Sequence, residues 1–169
     1  MVNCFVDADF AGLWGAEHPQ DPICAKSWTG FVITLANFSL QWVSKLQTKI
    51  TLSTLHAEYV ALLQSLNDLL PLQDLVNEVV DVLKLPYHLS IVTKNTVFED
   101  NQGAITIATS PHLTPTSKHI AVKYHWFHDH IGKDFEIEHV DTDNQIADLF
   151  TKGLQGSHFT NLRKLLCEW

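Results

Sequence analysis

Asn3-Cys4-Phe5-Val6-Asp7-Ala8-Asp9-Phe10 is a short run of aromatic and branched residues interrupted by carboxylates, and its composition predicts a strand. An ionised carboxylate inside such a run, as at Asp7, is costly unless it reaches the strand end or meets a cation. The next stretch, Ala11 to Lys26, contains Gly12, Gly15, Pro19 and Pro22 and reads as a loop. Trp28 to Ala36 and Ser39 to Ser44 read as two further strands around a turn at Asn37, so the chain opens with an antiparallel meander. From Leu52 to Leu83 the apolar period turns helical: Leu55, Leu62, Leu66 and Leu69 share a face, and Pro71 predicts a kink or a break between two helices. A strand over Thr96 to Asp100, a helix over Gln102 to Ala108 and a loop through Pro111 and Pro115 are expected next. A helix from His119 to Ile131, a strand from Phe135 to Val140 and helices over Asn144 to Thr151 and Ser157 to Leu166 complete the pattern. Three antiparallel strands followed by strand and helix in alternation imply an α/β fold, a mixed sheet flanked by helices.

The 169 residues and 19.1 kDa suit a single domain spanning 1–169, large enough to bury about two-thirds of the surface of its unfolded chain. With 46% hydrophobic and 18% charged residues and a mean hydropathy of +0.01, disorder, coiled coil and collagen are excluded. No apolar run approaches a membrane span, and no basic flank of a signal peptide precedes Val2. Cys4, Cys24 and Cys167 form no CxxC pair, which argues against a disulfide framework and a thiolate zinc site. A soluble, intracellular protein in a reducing compartment is therefore expected.

The formal net charge of −8 speaks against a nucleic-acid binder unless carboxylates bind divalent cations and the phosphate meets metal. Of the basic residues only Arg163 is arginine, so bidentate reading of guanine edges is nearly excluded and any nucleic acid would be gripped by backbone and shape. Four carboxylates stand out. Asp7 lies in the first strand. Glu58 shares the apolar face of the first helix with Leu55 and Leu62. Asp100 sits at the carboxyl end of a buried strand, where open sheets keep their ligand crevices. Asp148, with Asn144 four residues before it and Lys152 four after, reads by itself as part of a polar, solvated helix face. Four such groups, if convergent, repel one another unless cations lie between them, and hard oxygen ligands select magnesium or manganese.

The succession VDADFAG (from Val6), SWTGFV (Ser27), QWVSKLQ (Gln41), TLSTLHAEYVAL (Thr51), FEDNQGAI (Phe98), TSKHIAVKYHWF (Thr116) and TDNQIADLFTKGL (Thr142) resembles the ribonuclease H domain of copia-type LTR retrotransposon polyproteins, in order and over nearly the whole chain. The resemblance implies the ribonuclease H-like mixed five-stranded sheet, with Asp7, Glu58, Asp100 and Asp148 at the four catalytic, metal-binding positions. It implies two Mg2+ or Mn2+ ions: Asp7, Asp100 and Asp148 would hold the one that activates water, Asp7 and Glu58 the one that stabilises the leaving 3′ oxygen. The implied reaction is endonucleolytic hydrolysis of the RNA strand of an RNA/DNA hybrid during reverse transcription, leaving 5′-phosphate and 3′-hydroxyl ends. Implied partners are the hybrid and the polymerase portion of the same polyprotein, from whose C-terminal part the domain would be excised, with Met1 an added start. The implied setting is the cytoplasmic retrotransposon particle or the nucleus.

Two departures from that family are Leu13, where an acidic residue is common, and His56, where Glu is usual. Cellular ribonucleases H carry a histidine before the last catalytic Asp; Asp141-Thr142-Asp143 has none, and His119 could replace it. Lys45, Lys49, Lys118 and Lys123 are candidate phosphate contacts, and Thr54, Asn101 and Gln102 candidate donors and acceptors toward 2′-hydroxyls. His125, His128 and His130 crowd one segment, but without cysteines or a HExxH arrangement they read as structural or substrate-facing instead of zinc ligands. Trp42 and Trp126 alternate with apolar neighbours and are expected in the core. Two other functions stay open. A domesticated or inactive domain could bind nucleic acid or a protein without cleaving, although it would not need four costly carboxylates. Another ribonuclease H-like nuclease, such as an integrase or transposase core, would not be expected to carry these segments or a Glu on the first helix.

Overall fold

A computed structural model of the chain describes residues 2–18, 20–84, 95–110 and 125–167. Strand β1 (Val2–Asp9) pairs antiparallel with β2 (Trp28–Leu35), which pairs antiparallel with β3 (Phe38–Leu46). On its other side β1 pairs parallel with β4 (Asn95–Glu99), and β4 parallel with β5 (Phe135–His139). The order β3-β2-β1-β4-β5 is the mixed sheet that the strand succession implied. The turn between β2 and β3 places Ala36 and Asn37 at positive φ, a conformation that Asn tolerates better than most residues.

Period-two alternation divides β1 between two cores. Cys4, Val6 and Ala8 pack into the larger one with Phe31, Ile33 and the apolar face of α1 (Thr54–Val82). Phe5 faces the smaller one, built on Val32, Ile146 and Leu162, and stacks on Phe98 with ring centroids 4.7 Å apart. Leu62, Leu66 and Leu69 of α1 are fully buried, each worth about 1.5–3 kcal/mol of burial. The helix starts where Ser53 accepts a hydrogen bond from His56 N at 3.2 Å, a side-chain cap that satisfies one of the free amides of the first turn. It runs through Pro71 as one element, neither ended nor divided there. Leu66 and Leu69 before the proline, and Leu72 after it, all pack on the larger core, and this anchoring on both sides outweighs the lost backbone bond.

Among the described residues the remaining α-helices are α2 (Gln102–Thr109) and α3 (Gly156–Cys167). The helix expected over 144–151 is absent: two 3-10 turns, Thr142–Asn144 and Ile146–Phe150, take its place. Of the helix expected from His119 to Ile131, the described part is a 3-10 turn over His125–His130; residues 111–124 lie outside the described residues. Trp42 and Trp126 are not core. They are 62% and 44% exposed, because β3 is an edge strand whose alternate residues Phe38, Leu40 and Trp42 point out, and Trp126 sits on the solvent side of its turn, beside the buried Phe127.

Burial also grades the thiols. Cys4 and Cys24 are buried and Cys167 is exposed, and burial pushes the Cys4 thiol up to about 12, which removes its nucleophilic thiolate at neutral pH. At pH 8 iodoacetamide is expected to modify Cys167 in the native protein and all three cysteines only after denaturation, as read by intact-mass spectrometry. Modification of Cys4 at the rate of Cys167 would contradict the packing of β1 against α1.

Candidate active site

The parallel ladder between β1 and β4 ends at the pair Phe5 and Phe98, and beyond it Asp7 and Asp100 stand at the carboxyl ends of the two strands. Glu58 comes in from the second turn of α1. One oxygen from each of Asp7, Glu58 and Asp100 lies within 4.8 Å of the others. Among the described residues this is the grouping of His, Cys, Asp and Glu side chains able to hold a metal ion. Asp7 and Glu58 are 0% and 4% exposed, and Asp100 is half-buried. Glu58 Oε2 is buried and has no hydrogen-bond partner. Three hard oxygen donors, one of them orphaned, fit Mg2+ or Mn2+.

Asp148 is outside that trio but beside it. The 3-10 winding buries it to 1% exposure, where the sequence pattern put it on a solvated face. Three contacts seat the turn. Gln145, fully buried, donates from Nε2 to Val6 O at 2.8 Å and Phe98 O at 3.5 Å, bridging carbonyls of β1 and β4 where their own ladder ends. Gly30, paired with Asp7 across β2, leaves the room the turn occupies: a Cβ there would lie 2.6 Å from Thr151 Cγ2 and 3.0 Å from Phe150 Cβ. A strand glycine commonly marks such a close approach. Thr151 in turn donates its hydroxyl to Asp7 Oδ2.

The cluster is larger than four carboxylates. Glu99, the last residue of β4, is fully buried; its Oε1 accepts a hydrogen bond from Asn101 N at 3.0 Å, and its Oε2 has no partner. Thr142 Oγ1 donates to Asp100 Oδ2 at 3.0 Å. Lys152 Nζ donates to Asp148 Oδ1 at 2.7 Å and Asp7 Oδ1 at 3.1 Å, and His158 Nε2 lies 4.0 Å from Asp148 Oδ2.

Like charge in a dry place shifts these groups. Burial, then the charges of Glu99, Asp7 and Asp100, push Glu58 up to about 11, against a hydrogen bond from the Ala8 amide. Burial holds Glu99 well above the usual range, with the Asn101 amide opposing and Asp100 and Asp7 adding to it. Burial raises Asp148 to about 6, against its hydrogen bond from Lys152. For Lys152 burial disfavours the ammonium, but Asp7 and Asp148 outweigh it and its pKa rises. A cation placed among these groups would reverse the carboxylate shifts.

The other described residues singled out from the sequence lie outside that acidic grouping. Thr54 is exposed at the start of α1 and Gln102 at the start of α2. Asn101 caps α2, accepting from Ala104 N at 3.1 Å. Lys45 is exposed on β3, and Lys49 lines a cavity of about 380 Å3 with Thr48, His56 and Trp126. Lys118, His119 and Lys123 lie outside the described residues. His130 Nδ1 pairs with Asp134 Oδ2 at 2.6 Å, an ordinary partly exposed pair. Glu99, Gln145, Thr151, Lys152 and His158 had no role in the sequence reading. The available signals were a second carboxylate beside Asp100 in a buried strand, and the polar Gln145 and Lys152 flanking Asp148.

Over 167 residues, 98% of its length, the chain is 28% identical to the retrovirus-related Pol polyprotein from transposon TNT 1-94 of Nicotiana tabacum. It is 27% identical over 161 residues to that from transposon RE1 of Arabidopsis thaliana. It spans 11% and 10% of these relatives, about a tenth of their length. No protein-family model matches the chain. Among solved structures it is similar to LC11-RNase H1 in complex with an RNA/DNA hybrid (TM-score 0.57, 17% identity, 89% of this chain and 94% of that one). It is also similar to RNase H1 from the halophilic archaeon Halobacterium salinarum NRC-1 (TM-score 0.54, 15% identity, 89% and 93%). The fold is that of ribonuclease H, and the homologues over nearly the whole chain are Pol polyproteins of plant transposons.

Glu99→Gln preserves the acceptor for Asn101 N while removing a buried charge. Because the folded-state pKa of Glu99 is raised above 4.5, the wild-type protein has its full stability below that value and loses stability as pH rises toward the folded pKa. In EDTA the variant should therefore match the wild type near pH 4.5 and melt at least ~3 °C higher at pH 8, by scanning calorimetry. A lower melting temperature at pH 8 would show that the Glu99 charge stabilises the apo site.

Proposed function

We propose that the chain is a metal-dependent endoribonuclease that hydrolyses the RNA strand of RNA/DNA hybrids, a single ribonuclease H domain of a larger Pol polyprotein that works beside the polymerase portion. One observation carries this reading: Asp7, Glu58 and Asp100, from three separate elements, converge within 4.8 Å in a buried place where, among the described residues, Lys152 is the lysine paired with the cluster. Likeness to a ribonuclease H1 that holds an RNA/DNA hybrid supports the substrate class.

Asp7, Glu58 and Asp100 would hold Mg2+ or Mn2+. Bound there, the metal would supply Lewis acidity toward water and phosphate oxygens. The protein's own groups do the rest. Asp7 is held by Thr151 and Lys152 and Asp100 by Thr142, so two of the three ligand carboxylates are oriented before any ion arrives. Asp148 is linked to Asp7 by the Lys152 ammonium and is proposed to complete the acidic wall that faces the scissile phosphate. Thr54, Asn101 and Gln102 are proposed to supply hydrogen-bonding groups for 2′-hydroxyls in the hybrid's minor groove. Lys45, Lys49, Lys118 and His119 are proposed contacts to the nucleic-acid backbone. Cleavage leaves 5′-phosphate and 3′-hydroxyl ends. The net charge of −8 repels the phosphate backbone and makes the isolated domain a weak binder. The proposed setting is the cytoplasmic retrotransposon particle.

Purified protein with Mn2+ or Mg2+ is expected to cut the RNA of a labelled hybrid and leave single-stranded RNA, double-stranded RNA and duplex DNA largely intact. Equal cutting of hybrid and double-stranded RNA points to another nuclease of this fold; binding without cutting points to an inactive interaction domain.

Asp148→Asn should slow single-turnover hydrolysis at saturating Mn2+ by at least about a hundredfold, since loss of a metal-site carboxylate costs several kcal/mol of transition-state stabilisation. Asp143→Asn, exposed in the neighbouring turn, should stay within about twofold. Equal rates for the two variants would take Asp148 out of the site.

A further inference from the structure

Asp148 and Lys152 are four residues apart, a spacing that on a protein surface gives a weak, solvated pair. His130 and Asp134 show that ordinary case, with side chains 40% and 44% exposed. Lys152 differs in two respects. Its carboxylate partners, Asp148 and Asp7, are 2% and 1% exposed, and they come from opposite ends of the chain. One ammonium thus lies 2.7 Å from Asp148 Oδ1 and 3.1 Å from Asp7 Oδ1, bridging two buried anions as a metal ion would.

The lone pairs of the cluster are divided accordingly. On the Lys152 side, Asp7 Oδ1 and Asp148 Oδ1 face the ammonium, and Asp7 Oδ2 accepts from Thr151. Glu58 Oε2, by contrast, is buried with no partner, in the grouping with Asp7 and Asp100. The lysine is also held in place. Its backbone N–H donates to Asp148 O at 3.0 Å, and the preceding turn is seated by Gln145 on Val6 and Phe98 and by Ser44 on Phe150 O. A divalent ion between Asp7 and Asp148 would meet the ammonium at close range, where repulsion of like charges is strongest.

We propose that Lys152 is the second cation of this acidic site: its ammonium fills the position between Asp7 and Asp148, so that the substrate-free chain binds one divalent ion, at Asp7, Glu58 and Asp100. This rests on the metal-site reading above and departs from the expected pair of ions in one respect, stoichiometry. Lys152 acts here as a positioning residue. It holds Asp7 and Asp148 together while the metal is absent, and it leaves Glu58 and Asp100 to capture the ion.

The test is Mn2+ binding to the full chain, free of nucleic acid, at low ionic strength, by calorimetry and by electron paramagnetic resonance of unbound Mn2+. Wild type is expected to take up one Mn2+ at least tenfold more tightly than any second. Lys152→Met should take up two, the second at least tenfold more tightly than in wild type, and Mn2+ should raise its melting temperature more than that of wild type, because a ligand that binds the folded state stabilises it. Lys152→Arg preserves the charge and should remain a one-ion protein. Lys152→Gln serves as a second neutral variant if the methionine variant does not fold. Two equally tight ions in wild type, or one ion of unchanged affinity in both neutral variants, would overturn the assignment of Lys152 while leaving the metal site itself standing. No Mn2+ uptake by wild type would overturn the metal reading from which it starts.

Discussion

Five carboxylates, Asp7, Glu58, Glu99, Asp100 and Asp148, meet where β1 and β4 part, and their mutual repulsion is the constraint to which the surrounding structure answers. Two of them, Glu58 and Glu99, each leave an oxygen buried without a partner. A folded chain tolerates such a place only if enough apolar surface is buried elsewhere. The face of α1 that carries Glu58 also carries Ala57, Ala61, Leu62, Leu66 and Leu69, all fully buried against the sheet. The same packing that stabilises the domain therefore holds Glu58 in the cluster, against the burial and then the neighbouring charges that raise its pKa.

The second requirement is to keep the carboxylates in register without neutralising them. Backbone and hydroxyl donors do much of this: the Asn101 amide on Glu99, Thr142 on Asp100, Thr151 on Asp7. Gln145 works one layer below. By bridging Val6 O and Phe98 O it satisfies carbonyls that the ending β1–β4 ladder leaves open, and such groups are costly to leave unpaired when buried. Its position fixes where the turn carrying Asp148 and Lys152 leaves the sheet. Gly30 makes the arrangement sterically possible, since any side chain there would collide with Thr151 and Phe150.

Much of this was legible in the chain. The strand pattern of β1, β2 and β3 and the helical period through Leu62, Leu66 and Leu69 follow from local rules, and so does the prominence of Asp7 and Glu58, because a charge inside an apolar strand or helix face contradicts its surroundings; their assignment with Asp100 to one site came from the family resemblance. The lapses share a cause. Asp148 read as solvated because period 3.6 was assumed for a segment that winds as 3-10 turns against the sheet. Trp42 read as core because alternation shows which residues share a face of a strand but not whether anything covers that face, and β3 lies at the edge.

The sequence by itself determined the order of the strands, the prominence of Asp7 and Glu58 and the apolar faces beside them, since these depend on periodicity and on the cost of isolated charge. Tertiary structure decided which groups meet. That Glu99 joins the cluster, that Gln145 bridges β1 and β4, and that Lys152 reaches an aspartate 145 residues earlier depend on sheet order and on where two parallel strands separate. Such contacts are set by the summed packing of distant segments, and no local rule of spacing encodes them.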